Sequence, residues 1–444
     1  MKTDISLKNI NKLAIPALIS GVAEPILSLT DTAIIGNVDY NAPESLAAVG
    51  IVGTFISMLI WVLGQTRSAI SSIVSQHVGA NKLDHVKNLP AQAIFIITSI
   101  SILIIVTTLP FSSEIFKLYN ASGTILNYSV EYYNIRVFGF PFTLFTIAIF
   151  GTFRGLQNTY YPMIIAIIGS IVNIILDFAF VYGIEGIINP MHIKGAAYAS
   201  VIAQIIMALC SAYYLLKKTD ISLRVTFPLN PEIKTFSLMI LNLFVRTLAL
   251  NATLYFATRF ATSYGTEYIA AYTIAINLWF LGAFIIDGYA SAGNILSGKL
   301  LGEKNYKKLV ELSNFLIKCG IGVGFILTIV GLIFYNFIGP IFTKDPKVLE
   351  EFYNVFWIVL AMQPLCALAF IFDGMFKGMG KMKFLRNLLL LSTGLVFIPL
   401  LFLLDSYGLK LYAVFIALTV WIIARGFPLI IKFRQLFLSL SQKT

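Results

Sequence analysis

Asp31 and Asp177 lie inside apolar stretches of 25 and 24 residues, at 13–37 and 160–183, where water is scarce and an ionised carboxylate is costly. Each stands about six residues from the C-terminal end of its stretch, so both sit at a similar depth if the stretches cross a bilayer as helices. Asn173 precedes Asp177 by four residues, and Ser200 precedes Gln204 by four, so each pair shares one helix face. Two acids, an amide oxygen and a hydroxyl form an oxygen-rich cluster suited to H⁺ or Na⁺. The plain alternative is a hydrogen-bond network that only ties helices together. Inserting an ionisable group in a membrane span costs about 2.5–3.5 kcal/mol, and such groups usually mark ion pathways.

The elements that must carry these residues are membrane helices. The chain has 444 residues, of which 58% are hydrophobic and 12% charged, proportions foreign to a soluble domain. Twelve apolar segments are long enough to cross the hydrocarbon core as helices: roughly 13–37, 46–72, 90–110, 131–153, 160–183, 195–216, 235–262, 268–297, 312–338, 351–376, 385–404 and 411–431. The fold class expected is therefore an all-α integral membrane protein. A net charge of +11 does not point to nucleic acid, because its distribution is that of membrane orientation. Loops on one side hold most of the Lys and Arg, and those on the other hold Lys117, Lys194, Lys344, Lys347 and Lys410. That asymmetry predicts both termini in the cytoplasm, with the polar start read as a cytoplasmic tail and not a signal peptide.

The chain repeats itself. At a constant shift of 223 residues, Ser68-Ala69 falls on Ser291-Ala292, Gly79 on Gly302, and Gly151, Arg154 and Gly155 on Gly374, Lys377 and Gly378. The pattern predicts two parallel six-helix lobes, 1–217 and 235–444, joined by a cytoplasmic linker at 218–234 that contains Pro228 and Pro231. Parallel repeats are related by a pseudo-twofold along the membrane normal and enclose a cavity between lobes, which is transporter architecture. Pro16 and Pro25 inside the first span predict helix bends.

The bent, aspartate-bearing first helix, GTFRGLQNTYYPM after span four, NIILDFAFVYG in span five and KGAAYAS in span six resemble the multidrug and toxic compound extrusion (MATE) family over nearly the whole chain. The likeness is greatest to its DinF-like subgroup. The resemblance implies a cation-coupled antiporter that exports lipophilic, often cationic, small molecules by alternating access. It assigns coupling to Asp31, Asn173, Asp177 and Ser200, the last standing where threonine is usual, with Na⁺ able to bind at Asp31, Asn173 and Asp177. It also matches Pro16 to the family's bending proline. Span seven carries no glutamate, unlike the NorM-like pattern with its C-terminal cation site.

Other polar residues have two readings. Glu24 either lines the cavity and attracts cations or pairs with a donor across its lobe, and Gln204 is a further cavity-lining candidate. Arg246 and Asp287, at matched depths on consecutive spans, are expected to form a structural ion pair pinning spans seven and eight. Asp373 and Lys377 are expected to form a local i,i+4 pair, and Arg154 and Lys377 to anchor helix ends at the headgroups. Cys210, Cys319 and Cys366 lack metal-ligand spacing, and His77, His85 and His192 sit near span ends or in loops. No Gly-Lys-Ser/Thr phosphate loop, HExxH or GxSxG motif is present, which argues against ATP drive and an intramembrane enzyme. A lipid-linked-oligosaccharide flippase of related fold is the rival transporter reading; it would prefer a cationic cavity. The expected partners are the bilayer of the cell membrane and small-molecule substrates, with no cofactor beyond H⁺ or Na⁺, no structural metal, no nucleic acid, and a monomeric state.

Overall fold

The computed structural model describes residues 5–22, 30–31, 34–35 and 42–442. Among these residues the chain is helical, with one isolated antiparallel bridge between Ile184 and Ile188. In chain order the helices are α1 (Leu7–Gly21), α2 (Ala42–Leu63), α3 (Thr66–Gly79), α4 (Leu89–Thr108), α5 (Ser112–Leu118), α6 (Gly123–Arg136), α7 (Phe140–Gly155), α8 (Tyr160–Val181) and α9 (His192–Lys218). The chain continues with α10 (Glu232–Ser263), α11 (Thr266–Gly302), α12 (Tyr306–Ile333), α13 (Tyr335–Phe342), α14 (Pro346–Gly378), α15 (Met382–Leu391), α16 (Ile398–Ser406) and α17 (Leu411–Ser441).

Among the described residues eleven helical stretches, of 22 to 37 residues, are long and apolar enough to cross a membrane, and the protein is an all-α integral membrane protein. The first expected span is represented by α1, with Pro16 inside it. Glu24 and Pro25 lie outside the described residues. Several helices overrun the spans read from hydropathy. Helix α11, at 37 residues, is about 55 Å long at 1.5 Å per residue, well beyond a ~30 Å hydrocarbon core. Hydropathy ends at the membrane surface, whereas backbone hydrogen bonding continues until a cap or breaker stops it.

Local chemistry sets those stops. Asp345 caps α14, its side chain accepting from the Lys347 N–H at 2.9 Å, with Pro346 in the first turn, where its missing N–H costs nothing. Within α14, Pro364 cannot donate to the Leu360 carbonyl one turn back, which would leave an acceptor unmet in an apolar interior. The Thr328 hydroxyl of α12 meets that carbonyl at 2.7 Å. A Cβ on Gly324, one turn before Thr328, would fall 2.7 Å from the Pro364 Cα, so only glycine lets α12 approach so closely.

The chain gathers into two compact units, one comprising Ile19–Val74 and Lys82–Ile240, the other Met1–Leu18, Ser75–Asn81 and Leu241–Thr444. Each uses the same glycines in the same way. In the first, a Cβ on Gly151 would lie 2.6 Å from the Arg67 carbonyl oxygen; in the second, a Cβ on Gly374 would lie 2.2 Å from that of Ala290. Both partners are related by the 223-residue shift. So are the neighbours of Gly155 and Gly378, which are Val74 and Ser297. Within the second unit, Gly79 abuts the Lys299 carbonyl and Gly302 abuts that of Gln76, a reciprocal crossing of repeat-equivalent helix ends.

The segment 218–234 is fastened to the N-terminal unit. Gln92, near the start of α4, donates from Nε2 to the Thr226 carbonyl at 2.6 Å and accepts the Asn230 N–H at 2.8 Å. The Asn230 side chain in turn donates to the His85 carbonyl and to Asn88 Oδ1, both at 2.7 Å.

Candidate cation site

Three helices of the N-terminal unit each present two polar residues four apart, and all three pairs are buried. Helix α6 supplies Tyr132 and Arg136, α8 supplies Asn173 and Asp177, and α9 supplies Ser200 and Gln204. One turn of helix separates the members of each pair, so each helix turns a single polar stripe inward. Asp31, 2% exposed, completes the group.

Asp31 is the hub. Its Oδ2 accepts the Tyr132 hydroxyl and the Ser200 hydroxyl, each at 2.8 Å, and its Oδ1 accepts from Asn173 Nδ2 at 3.4 Å. Asn173 Nδ2 also lies 3.4 Å from Ser200 Oγ. The chain beside the aspartate is held by Tyr182 of the α8 C-terminus, whose hydroxyl donates to the Ile34 carbonyl at 3.0 Å. Arg136 Nη1 donates to Gln204 Oε1 at 2.9 Å, and its positive charge acts on Asp31. Gly139 makes room for that bond, since a Cβ there would fall 1.8 Å from Gln204 Oε1.

The Asp177 carboxyl lies within electrostatic reach of that of Asp31. Among the described residues no hydrogen-bond donor meets either buried Asp177 oxygen or Asn173 Oδ1. Unmet acceptor oxygens crowded beside a second carboxylate are what a proton or a sodium ion would satisfy. A cavity of about 20 Å³, room for roughly one water, adjoins Asp31, Tyr132, Arg136 and Ser57. Among the described residues no group of three His, Cys, Asp or Glu is placed to hold a metal ion.

The structure thus brings together Asp31, Asn173, Asp177, Ser200 and Gln204. It adds Tyr132 and Arg136, which the sequence reading passed over; an arginine inside a span was the available signal.

In the C-terminal unit the expected pairing of Arg246 with Asp287 is corrected. Arg246 Nη2 contacts Asp373 Oδ1 at 2.5 Å, while Asp287 is exposed on α11. Matched depth on a hairpin leaves helix rotation undetermined, and here the exposed Asp287 acts on Lys377 and makes no ion pair with Arg246. The Asp373–Lys377 pair is present, with Lys377 Nζ 2.9 Å from Oδ2. Arg154 does not reach outward to headgroups: it is buried, with Nη2 3.3 Å from Ser20 Oγ.

Comparison with known proteins extends over most of the chain. A family model described as MatE matches residues 16–179 and again residues 240–403, one match in each repeat. Protein DETOXIFICATION 42 of Arabidopsis thaliana is 26% identical over 459 residues, covering 90% of this chain and 86% of that protein. DNA damage-inducible protein F of Escherichia coli (strain K12) is 25% identical over 439 residues, covering 95% of this chain and 91% of that protein. A solved MATE structure in the bent conformation has the same fold, with a TM-score of 0.90 and 23% identity over 98% of this chain and 96% of that one.

Proposed function

The chain belongs to the MatE family and is a membrane transporter, not an enzyme, and from that premise we propose that it is a cation-coupled antiporter exporting lipophilic, often cationic, small molecules. The observation that carries the coupling is the Asp31–Asp177 cluster with its unmet acceptor oxygens. With both carboxylates ionised, like charges repel in a low-dielectric site; one H⁺ or Na⁺ arriving there removes the repulsion. The cation thereby favours a closed arrangement of the N-terminal unit around Asp31, and substrate favours the open one. Coupling requires that opposition, because a ligand with equal affinity for two states shifts neither. Alternating access follows from cycling between the two, with Pro16 in α1 as a point of bending.

The family match does not favour the flippase reading. The lysine distribution supports placing both termini in the cytoplasm of a cell-membrane protein. The reading also takes the monomer as the working unit. The test is efflux of a lipophilic cationic dye, such as ethidium, from proteoliposomes under an imposed pH gradient and, separately, an imposed Na⁺ gradient. Dye movement against its own gradient in either arm supports coupling and names the ion. Movement that only ever equilibrates the dye contradicts it.

A further inference from the structure

The C-terminal unit contains a second polar cluster, and its charges do not balance. Buried Arg246 and Arg425 and half-buried Lys377 gather around the carboxylate of Asp373, and the one further acid in electrostatic reach of Lys377 is Asp287, so three cations face two acids among the described residues. Both Asp373 oxygens are engaged, Oδ1 by Arg246 and Oδ2 by Lys377. Arg425, 5% exposed, lies within electrostatic reach of Asp373 and Arg246 but has no hydrogen bond or ion pair with any described residue. Its guanidinium instead lies over two aromatic faces, 4.9 Å from the Trp421 ring centre and 5.3 Å from that of Phe370.

Stacking holds a guanidinium in place and leaves its five N–H donors unmet in the ring plane. A buried cation normally finds an acid, since desolvation without a partner is expensive. The surroundings are ordered for a partner. The Trp421 indole N–H donates to Thr393 Oγ1 at 3.1 Å, which fixes the ring beneath Arg425. Thr393 belongs to the wider π-type turn at Ser392–Phe397 and is tied to Thr253 of α10 at 2.9 Å. Such turns interrupt helices most often at functional sites. The cluster meets its surroundings at Lys377, whose side chain is 16% exposed, while Arg425 lies deeper.

We propose that the C-terminal unit holds an anion site, centred on Arg425 and completed by Lys377 and Arg246, for a carboxylate or phosphate borne by an aromatic or otherwise apolar organic molecule. The planar guanidinium pairs with the two oxygens of such a group, and Lys377 adds a point charge. Phe370, Trp421 and Trp279, whose ring lies 6.4 Å from Phe370, supply the apolar flank. This goes beyond the coupling reading, whose cluster lies in the other unit and has the opposite polarity.

The test uses the full chain in phosphatidylcholine nanodiscs, titrated calorimetrically with phenyl phosphate, benzoate and, as a neutral match, benzyl alcohol. Phenyl phosphate and benzoate are expected to bind and benzyl alcohol to bind at least about tenfold more weakly, with Arg425→Gln weakening the anions by at least about tenfold and Arg425→Lys by less. Should Arg425→Gln fold poorly, the wild-type chain gives the same answer, because bound phenyl phosphate protects Arg425 from phenylglyoxal as read by mass spectrometry. Repeating the titration with phosphatidylglycerol in the nanodisc separates the sources. Displacement of phenyl phosphate assigns the anion to a lipid headgroup, and undiminished binding assigns it to a soluble molecule; either keeps the site. Equal binding of anions and benzyl alcohol, unchanged anion affinity in a folded Arg425→Gln, or unprotected Arg425 at saturating phenyl phosphate overturns the proposal. No gradient is applied, so this outcome is separate from that of the coupling experiment.

Discussion

The Tyr132 hydroxyl donates to Asp31 Oδ2 at 2.8 Å, joining two residues 101 positions apart and sharing that oxygen with Ser200. Removing a donor from a buried acid leaves the acid less satisfied, at about 1.5–3 kcal/mol for a hydrogen bond to a charged group. Tyr132→Phe is therefore expected to lower the melting temperature in detergent. In an Asp31→Asn background the same change should be markedly milder, because the acceptor's charge is gone. Equal effects in both backgrounds would mean that the two side chains do not interact.

Asp373 bonds Arg246 and Lys377 at once, so its loss leaves both cations without their acid. Breaking such a pair by removing one partner typically costs about 3–5 kcal/mol, whereas replacing both partners with apolar side chains is often tolerated. Asp373→Ala is expected to depress yield and melting temperature strongly, and Asp287→Ala to leave both near wild type. Combining Asp373→Leu with Arg246→Met should recover part of the loss. A stable Asp373→Ala would contradict the network.

These two sites show what was legible in the sequence and what was not. Asp31, Asn173, Asp177, Ser200 and Gln204 could be found because helical spacing of four fixes a shared face, and acids are rare enough in spans to be noticed. Tyr132 and Arg136 were missed because they fall where span four begins, and tyrosine or arginine at a span end ordinarily reads as an interfacial anchor. The partner of Arg246 was misassigned because depth can be counted along a sequence but helix rotation cannot. The acid that meets it stands 127 residues away on α14. The repeat was legible down to single glycines, because close helix approach tolerates no other residue there.

Gly151 and Gly374 meet repeat-equivalent carbonyls, and backbone cannot move aside as a side chain can. Gly151→Ala and Gly374→Ala are expected to lower folded yield to a similar degree. Gly50→Ala, with open space around it, should be neutral or mildly stabilising, since alanine is the better helix former by about 0.5–1 kcal/mol. Size-exclusion profiles of the three variants, expressed identically, check this.

Gln92 holds the segment between the repeats through Thr226 and Asn230. Gln92→Ala leaves a carbonyl and an N–H without partners, an expected loss of about 1–3 kcal/mol for a buried group left unsatisfied. Limited proteolysis should then cut within 219–231 faster than in the wild type, while dye efflux by uncut protein is retained. Unchanged cleavage would show that the loop is held by other contacts.

Gradient-driven efflux by Asp31→Asn in proteoliposomes tests most directly whether Asp31 couples cation movement to export. Asparagine keeps the shape of the side chain and mimics a permanently neutralised acid, so the variant should fold. It is expected to bind dye but fail to move it against its concentration gradient at protein levels matched to wild type, with Asp177→Asn similarly impaired. Asp31→Asn pumping dye at the wild-type rate under the same gradient would contradict the account.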